Sequence, residues 1–343
     1  MKKKENIQDI FKGDALRLTA YLALLLVAVS CDYIHDKLPL CRHTLRFVYY
    51  HNIKHADAFA YEMVNQSMEK NVHLYIYDNE GKFLFSRLIE RSELEKNEID
   101  LSDLPPATYR LLAWAGLNET DYIWTEPVSG SSIDDFRMAV KEDEKRVARE
   151  LSGLFQGELK YTIPTGGTTY TEFPLVKNTN KIRFILIDVN HGTELTADAF
   201  DIAATTTNGD LDAHNEPKSN AHLTWLPYLR KVESIKAASD TTSIYDAVCT
   251  ELNTLRLIDN GTGTLRIRYA SEEKPFFNVN LTELLKLTQI ESHKLPGQEY
   301  LDRQDEYVIT AYVDIAGGRA HCLYVMVDDW IVRLEDINLN TEM

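Results

Sequence analysis

The residue with the most specific chemistry in this sequence is Cys31. It follows Leu18–Ser30, a nearly unbroken apolar run, with Lys2, Lys3, Lys4, Lys12 and Arg17 upstream. The run is shorter than the roughly 20 residues a spanning helix needs and has the form of a signal-peptide core behind a basic start. Small residues, Ala28 and Ser30, precede the cysteine directly. That pattern predicts cleavage between Ser30 and Cys31, leaving Cys31 as the first residue of the mature chain, with a thioether-linked diacylglycerol and an N-acyl chain of the palmitate class. At about 0.8 kcal/mol per buried methylene, more than one acyl chain gives durable attachment. Ala28 stands where the commonest lipoprotein boxes carry leucine, and the competing reading is an ordinary cleaved signal with a chance cysteine. Asp32 and Asp36 follow closely. Acidic residues there fit either an inner-membrane retention signal or a surface-export signal, and the residues alone leave both open.

Other reactive side chains form weaker patterns. Cys41, Cys249 and Cys322 are an odd remainder once Cys31 is acylated, and no CxxC occurs. Isolated, partly buried thiols are expected, and whether any two pair is left open. Asp210-Leu211-Asp212-Ala213-His214-Asn215 invites a calcium reading. The fifth, sixth and twelfth positions are His214, Asn215 and Ala221, where a calcium loop needs oxygen, glycine and glutamate, so a solvated acidic turn is expected instead. Asp302, Asp305 and Glu306 could be imagined as paired acids for hydrolysis, but their place between a helix and a strand favours a structural corner, with Arg303 among local carboxylates. Pro164-Thr165-Gly166-Gly167-Thr168-Thr169 lacks the lysine and spacing of a phosphate loop. His214 and His222 lack a close metal-ligand pattern. No GxSxG, HExxH or dinucleotide fingerprint is present. No catalytic residue, metal or cofactor is therefore expected.

The totals agree with a soluble body behind a membrane link. The chain has 343 residues, enough for about two domains, and is 44% hydrophobic, enough to bury a core. Removing residues 1–30 takes five basic and three acidic residues from totals of 37 and 53, leaving 32 and 50, a net charge of −18. A surface this acidic repels phosphate backbones, so nucleic-acid binding is not expected. It also supplies no attraction to anionic lipid, which leaves the membrane link to the N-terminus.

The elements that carry these residues are mostly strands. Leu45–Tyr50 is β-rich, and residues 57–70 have helical spacing. Val72–Tyr77 and Phe83–Phe85 form a hairpin around Asp78-Asn79-Glu80-Gly81. Ile99–Leu101 and Tyr109–Trp114 flank a turn at Leu104-Pro105-Pro106. Ser132–Ser152 is polar and predicts helix plus loop. Strands are expected at 159–163, 181–187, 200–207, 222–228, 251–258, 264–269 and 276–281, then a helix at 281–287 and strands at 308–313, 322–327 and 330–333. Arg266 and Arg268 alternate with apolar residues, as on the solvent face of a half-buried strand. Residues 231–243 read as polar loop. Short strands with turn signals at this spacing predict β-sandwich architecture.

Several of these segments together resemble a known family. Leu38-Pro39-Leu40-Cys41 is followed by an aromatic strand ending Tyr49-Tyr50-His51-Asn52, then by Asp57 and Phe59. Leu74-Tyr75-Ile76-Tyr77-Asp78 precedes Gly81 and Phe83. Leu104-Pro105 precedes Tyr109 and Ala113-Trp114-Ala115-Gly116-Leu117. Gln298-Glu299-Tyr300-Leu301-Asp302-Arg303-Gln304-Asp305-Glu306-Tyr307 leads into a strand, and a tryptophan strand, Trp330–Arg333, comes near the end. In this order they resemble the FimB-type fimbrillin anchor lipoproteins of Bacteroidales. The resemblance implies an all-β fold with minor helix, built as two tandem transthyretin-like β-sandwich domains. Residues 1–30 are then the lipoprotein signal peptide, 31–175 the N-terminal sandwich and 176–343 the C-terminal one. It implies a non-enzymatic, lipid-anchored fimbrial subunit that attaches fimbriae to the outer membrane through lipid on Cys31, surface-exposed, in a family linked to control of fimbria length. It also makes Asp32 part of an export signal. The partner implied is the major fimbrial subunit, the fimbrillin, held by strand addition at a sheet edge. An anchor that keeps its lipid must keep residues 31–50, so the edge used should be another one, near the C-terminal strand. The alternatives are a fimbrial tip or adhesin subunit on the same scaffold and a glycan-binding surface lipoprotein.

Overall fold

The computed structural model describes residues 41–49, 52, 70–190, 194–237, 240–289, 295–328 and 330–332. Ser30, Cys31, the signal segment, the expected helix at 57–70 apart from Lys70, and the residues after Val332 lie outside that set. Cys41, Arg42 and residues 166–168 belong to one contact unit and the other described residues to a second, which is the one considered below.

Alternation of side chains along β2 (Val72–Asp78) and β5 (Thr108–Ala115) sets up the first half. These strands sit inside a five-stranded sheet ordered β11-β9-β5-β2-β3, with β3 at Phe83–Ile89, β9 at Phe155–Thr162 and β11 at Val176–Lys177. Val72, Leu74, Ile76, Leu111 and Ala113 point to one face, and Tyr75, Tyr77, Leu112 and Trp114 to the other; all are fully buried. A sheet buried on both faces needs two covers. The first is a three-stranded sheet ordered β10-β1-β4, with β1 at His43–Val48, β4 at Ile99–Asp100 and β10 at Thr169–Pro174. It packs Leu45, Phe47 and Phe173 on the aliphatic face. Gly157 permits the close approach of β9 to this layer, because a Cβ there would collide with the Pro174 carbonyl and the Phe173 ring. The second cover includes Phe136 and Met138, which belong to the cluster of Tyr75 and Trp114.

The second half is built on a six-stranded sheet ordered β16-β17-β12-β20-β21-β22. Its strands are β12 (Thr179–Asp188), β16 (Leu229–Ala237), β17 (Asp240–Leu255), β20 (Glu306–Ala316), β21 (Arg319–Val327) and β22 (Trp330–Val332). Facing it is a five-stranded sheet ordered β19-β18-β13-β15-β8, with β8 at Arg146–Val147, β13 at Phe200–Thr206, β15 at Leu223–Trp225, β18 at Thr264–Tyr269 and β19 at Phe277–Asn280. A small sheet ordered β14-β7-β6 pairs β6 (Tyr122–Trp124) and β7 (Arg137–Val140) with β14 (Asp210–Asp212). Phe184, Trp225, Leu252 and Ile309 fill the interior, and Trp225 Nε1 donates to Thr206 Oγ1 at 2.7 Å. These residues belong to the same buried cluster as Tyr75 and Trp114, so one core spans both halves. Among the described residues the short α-helices are α1 (Arg91–Leu94), α2 (Leu281–Lys286) and α3 (Gly297–Arg303). Asn280 caps α2 by accepting from the Glu283 amide at 2.9 Å.

The chain is thus all-β with minor helix, and most expected strands are present with shifted ends. Residues 132–152 differ from expectation: a 3-10 turn at Ile133–Asp135 is followed by β7 and β8, with no α-helix. Phe136, Met138 and Val140 alternate at period two and are buried, a strand signal that the surrounding charges obscure. Residues 231–237 and 240–243 are not loop either. They form most of β16 and the start of β17. Among the described strands β16 is at an edge, and its hydrogen bonds to β17 fix it although Leu229, Val232 and Ile235 alternate with charged residues without a strict period of two.

Candidate functional site

Three places combine position and chemistry: the N-terminal strand, the C-terminal sheet edge, and the junction between the halves. β1 is tied on both sides. It runs parallel to β10 through six register pairs, His43–Thr169 to Val48–Pro174, and pairs with β4 at Thr44 and Leu45. Beyond the short β4, Asn97 substitutes for a strand. It accepts from the Phe47 amide at 3.0 Å and donates to the Phe47 carbonyl at 2.7 Å. Its φ of 47° is one that asparagine tolerates. At the ends of β1, the Leu101 amide donates to the His43 carbonyl and the Leu175 amide to the Val48 carbonyl. The Phe47 and Phe173 rings meet at 5.6 Å. β1, the first described strand of the chain, is therefore an interior strand of its sheet.

At the other end of the chain, β22 pairs with β21 through Val332–Val325, Ile331–Met326 and Trp330–Val327. It is the outermost described strand of its sheet. Its inward residue Val332 is buried, whereas Trp330 is 54% and Ile331 68% exposed. An edge strand that carries large apolar side chains and has no further partner among the described residues is a template for strand pairing.

The acidic residues singled out in the sequence are dispersed over separate structural partners. Asp302, on α3, takes Arg256 Nε and Nη2 at 2.7 and 2.9 Å, a bidentate pair with the guanidinium largely buried. Asp305 holds Lys177 of β11, and Arg303 binds Glu299 at 2.7 Å. The corner reading of 298–307 agrees with this geometry. Arg266 is exposed, and Arg268 bonds Asp201 on the neighbouring strand.

The acidic turn at 210–215 is more engaged than its sequence suggests. Asp210 lies in β14 and holds Arg137 at 2.6 Å, while Asp212 Oδ1 accepts from the amides of His214 and Glu216. His214 reaches across the junction: Nδ1 lies 2.8 Å from Glu158 and Nε2 3.0 Å from Asp134. Bonding both carboxylates requires a proton on each nitrogen. The hydrogen bond with Asp134 raises the imidazole pKa above its usual value, burial opposes this, and Glu158 adds to the rise. The two carboxylates sit on opposite ring nitrogens and do not converge on one point. Among the described residues no three metal-ligating side chains form a site. One residue further on, Asn215 pairs with Asn178. The partners in these contacts lie tens of residues apart, and no local spacing marks them.

A cleft of about 470 Å³ between β7, Gly209 and residues 219–223 is lined by Arg137, Lys141, Lys145, Asp210 and His222. Arg137 is matched by Asp210 and Lys145 by Glu142. Cys41, Cys249 and Cys322 are free thiols. Burial pushes Cys322 up to about 12 and, ahead of the effect of Glu233, raises Cys249, which disfavours a nucleophilic thiolate at either.

Residues 38–336 match the family model described as fimbrillin-A associated anchor proteins Mfa1 and Mfa2. The chain belongs to this family. Membership places it among fimbria-associated proteins of the cell envelope and agrees with the resemblance carried by residues 38–52, 74–83 and 298–307. Solved structures share the fold. A Bacteroides thetaiotaomicron protein named for polysaccharide binding superposes with TM-score 0.70 at 25% identity, covering 85% of this chain and 98% of that one. A B. thetaiotaomicron protein named as an adhesin gives 0.73 at 24%, covering 87% and 99%. The fimbrial anchor protein Mfa2 of Porphyromonas gingivalis gives 0.60 at 13%, covering 85% and 99%. No curated protein sequence matches the chain.

Proposed function

We propose that this member of the anchor family is a lipid-anchored, non-enzymatic subunit that attaches fimbriae to the outer membrane and limits their length. The carrying observation is the family match, which opens at residue 38, shortly after Cys31 and its signal-like run. Lipid on Cys31, freed by cleavage after Ser30, holds the body at the cell surface, with Asp32 and Asp36 in the export signal. On this reading the mature sequence forms two transthyretin-like sandwiches, 31–175 and 176–343, across whose boundary β8 pairs with β15 and β11 with β9, with residues 31–50 retained. The partner is a fimbrillin, and strand addition at the exposed β22 edge is the mode that Trp330 and Ile331 favour.

The test is deletion of the gene followed by assay of fimbriae in cells and medium. Shedding of fimbriae, with a changed length distribution, is the expected result. Fimbriae still attached at unchanged length overturn the proposal. Label at the distal end of fimbriae would favour the tip reading instead.

A further inference from the structure

We propose that β1 and β10 form a shear clamp that resists extraction of the N-terminal strand under tension. The two strands are parallel over six register pairs. Tension from a membrane-tethered N-terminus enters β1 at His43. The opposing tension, from the C-terminal half, reaches β10 at Pro174 through Leu175, β11 and β12. In a parallel pair those are opposite ends of the ladder. The load therefore runs along the strands and across the hydrogen bonds, and the evenly spaced bonds of a parallel ladder share it. A pair pulled from adjacent ends opens instead one bond at a time.

The surroundings reinforce the same direction. The Leu175 amide continues the ladder at the Val48 carbonyl. Asn97 holds both backbone groups of Phe47. Leu45 and Phe47 are fully buried, so sliding the strand drags large side chains through a packed layer. The pairing with β4 covers only two residues and adds little.

The direction of the load rests on the anchoring reading above. The anisotropy is a property of the ladder alone, so the force experiment and the shedding experiment can fail independently. The test is optical-tweezers unfolding of the full chain in two handle arrangements. One joins the N- and C-termini. The other joins the N-terminus to an insertion at the exposed Thr165, next to the start of β10. Forced unfolding reads the barrier to strand release. With terminal handles, the event that frees residues 43–174, on the order of 48 nm extended at ~3.6 Å per residue, is expected at a higher force than the one that detaches β1 with the Thr165 handle. Urea midpoints equal in both arrangements show that the insertion leaves stability intact. Equal release forces, or a lower force with terminal handles, overturn the proposal.

Discussion

Asn178 and Asn215 hold each other through reciprocal amide hydrogen bonds of 2.6 and 3.0 Å, and both side chains are buried. Asn178 lies in the connection between β11 and β12, and Asn215 in the turn after β14. Each amide supplies a donor and an acceptor, so removing one strands the other. Asn178→Ala is expected to cost ~1–3 kcal/mol in urea unfolding. Asn215 sits at φ 66°, so Asn215→Gly isolates the lost bonds and Asn215→Ala adds backbone strain. A double-mutant cycle of Asn178→Ala with Asn215→Gly should show coupling of about 0.5 kcal/mol or more. Strict additivity would refute the pairing.

His214 makes part of the junction dependent on pH. Its pKa is raised in the folded chain, chiefly by the hydrogen bond to Asp134. The stabilisation is therefore fully present below the unfolded value of about 6.5 and is lost as pH rises through the folded value. Asp134 is shifted down by the same contact, so its share is lost as pH falls through its own lowered value. Groups facing the imidazole are Asp134, Glu158 and Asp212, with Arg110 bound to Glu158 at 2.6 Å and Lys218 to the Asp134 carbonyl at 2.8 Å. Wild type should lose urea stability above pH 6.5 relative to His214→Gln, and the His214 ring protons should titrate above 6.5 by NMR. Parallel stability curves for the two proteins would contradict this.

Arg256 joins the end of β17 to α3. Its guanidinium holds Asp302 and also donates to the Asn215 carbonyl. Arg256→Leu leaves a mostly buried carboxylate and a buried carbonyl without their partner, with an expected loss of ~3–5 kcal/mol. Arg256→Lys keeps the charge without the fork and should fall between that variant and wild type. Thermal unfolding of the three proteins ranks them.

The β22 edge should separate binding from folding. Ile331→Lys places a charge on an exposed edge strand, a common device against edge pairing. Stability should change by less than about 0.5 kcal/mol. Capture of purified fimbrillin should weaken by at least about tenfold, ~1.4 kcal/mol. Unchanged capture would move the interface to another edge.

Cys31→Ser should shift the protein from the membrane fraction to the soluble fraction and abolish labelling by a palmitate analogue. Persistent labelling would place the lipid on another residue.

The strands legible in the sequence are those whose environment is uniform. β2 and β5 are buried on both faces, and Leu74-Tyr75-Ile76-Tyr77 announces itself by bulk and β-branching. The hairpin after β2 is marked by Asp78, whose carboxylate accepts from the Glu80 and Lys82 amides, and by Gly81 at φ 83°. β16 was hidden because an edge strand does not need apolar alternation. β7 was hidden because four residues give two periods among many charges. β10 carries the β-formers Thr169, Tyr170, Thr171 and Phe173, but only Phe173 is buried, so no apolar alternation marks it. For the candidate site, the edge at Trp330 was legible as an aromatic strand near the end of the sequence. The His214 and Asn178–Asn215 contacts were not, because pairing across more than 30 positions is set by the sheets and leaves no local spacing.

The buried cluster that holds Tyr75, Trp114 and Phe136 also holds Phe184, Trp225 and Ile309. A joint filled with interlocked side chains has no slack in which to pivot. Opening even 100 Å² of it to water would cost about 2.5 kcal/mol, several times thermal energy. Under the proposed anchoring role such a joint would behave as a weld: sideways bending would be passed on as torque instead of being absorbed between the halves.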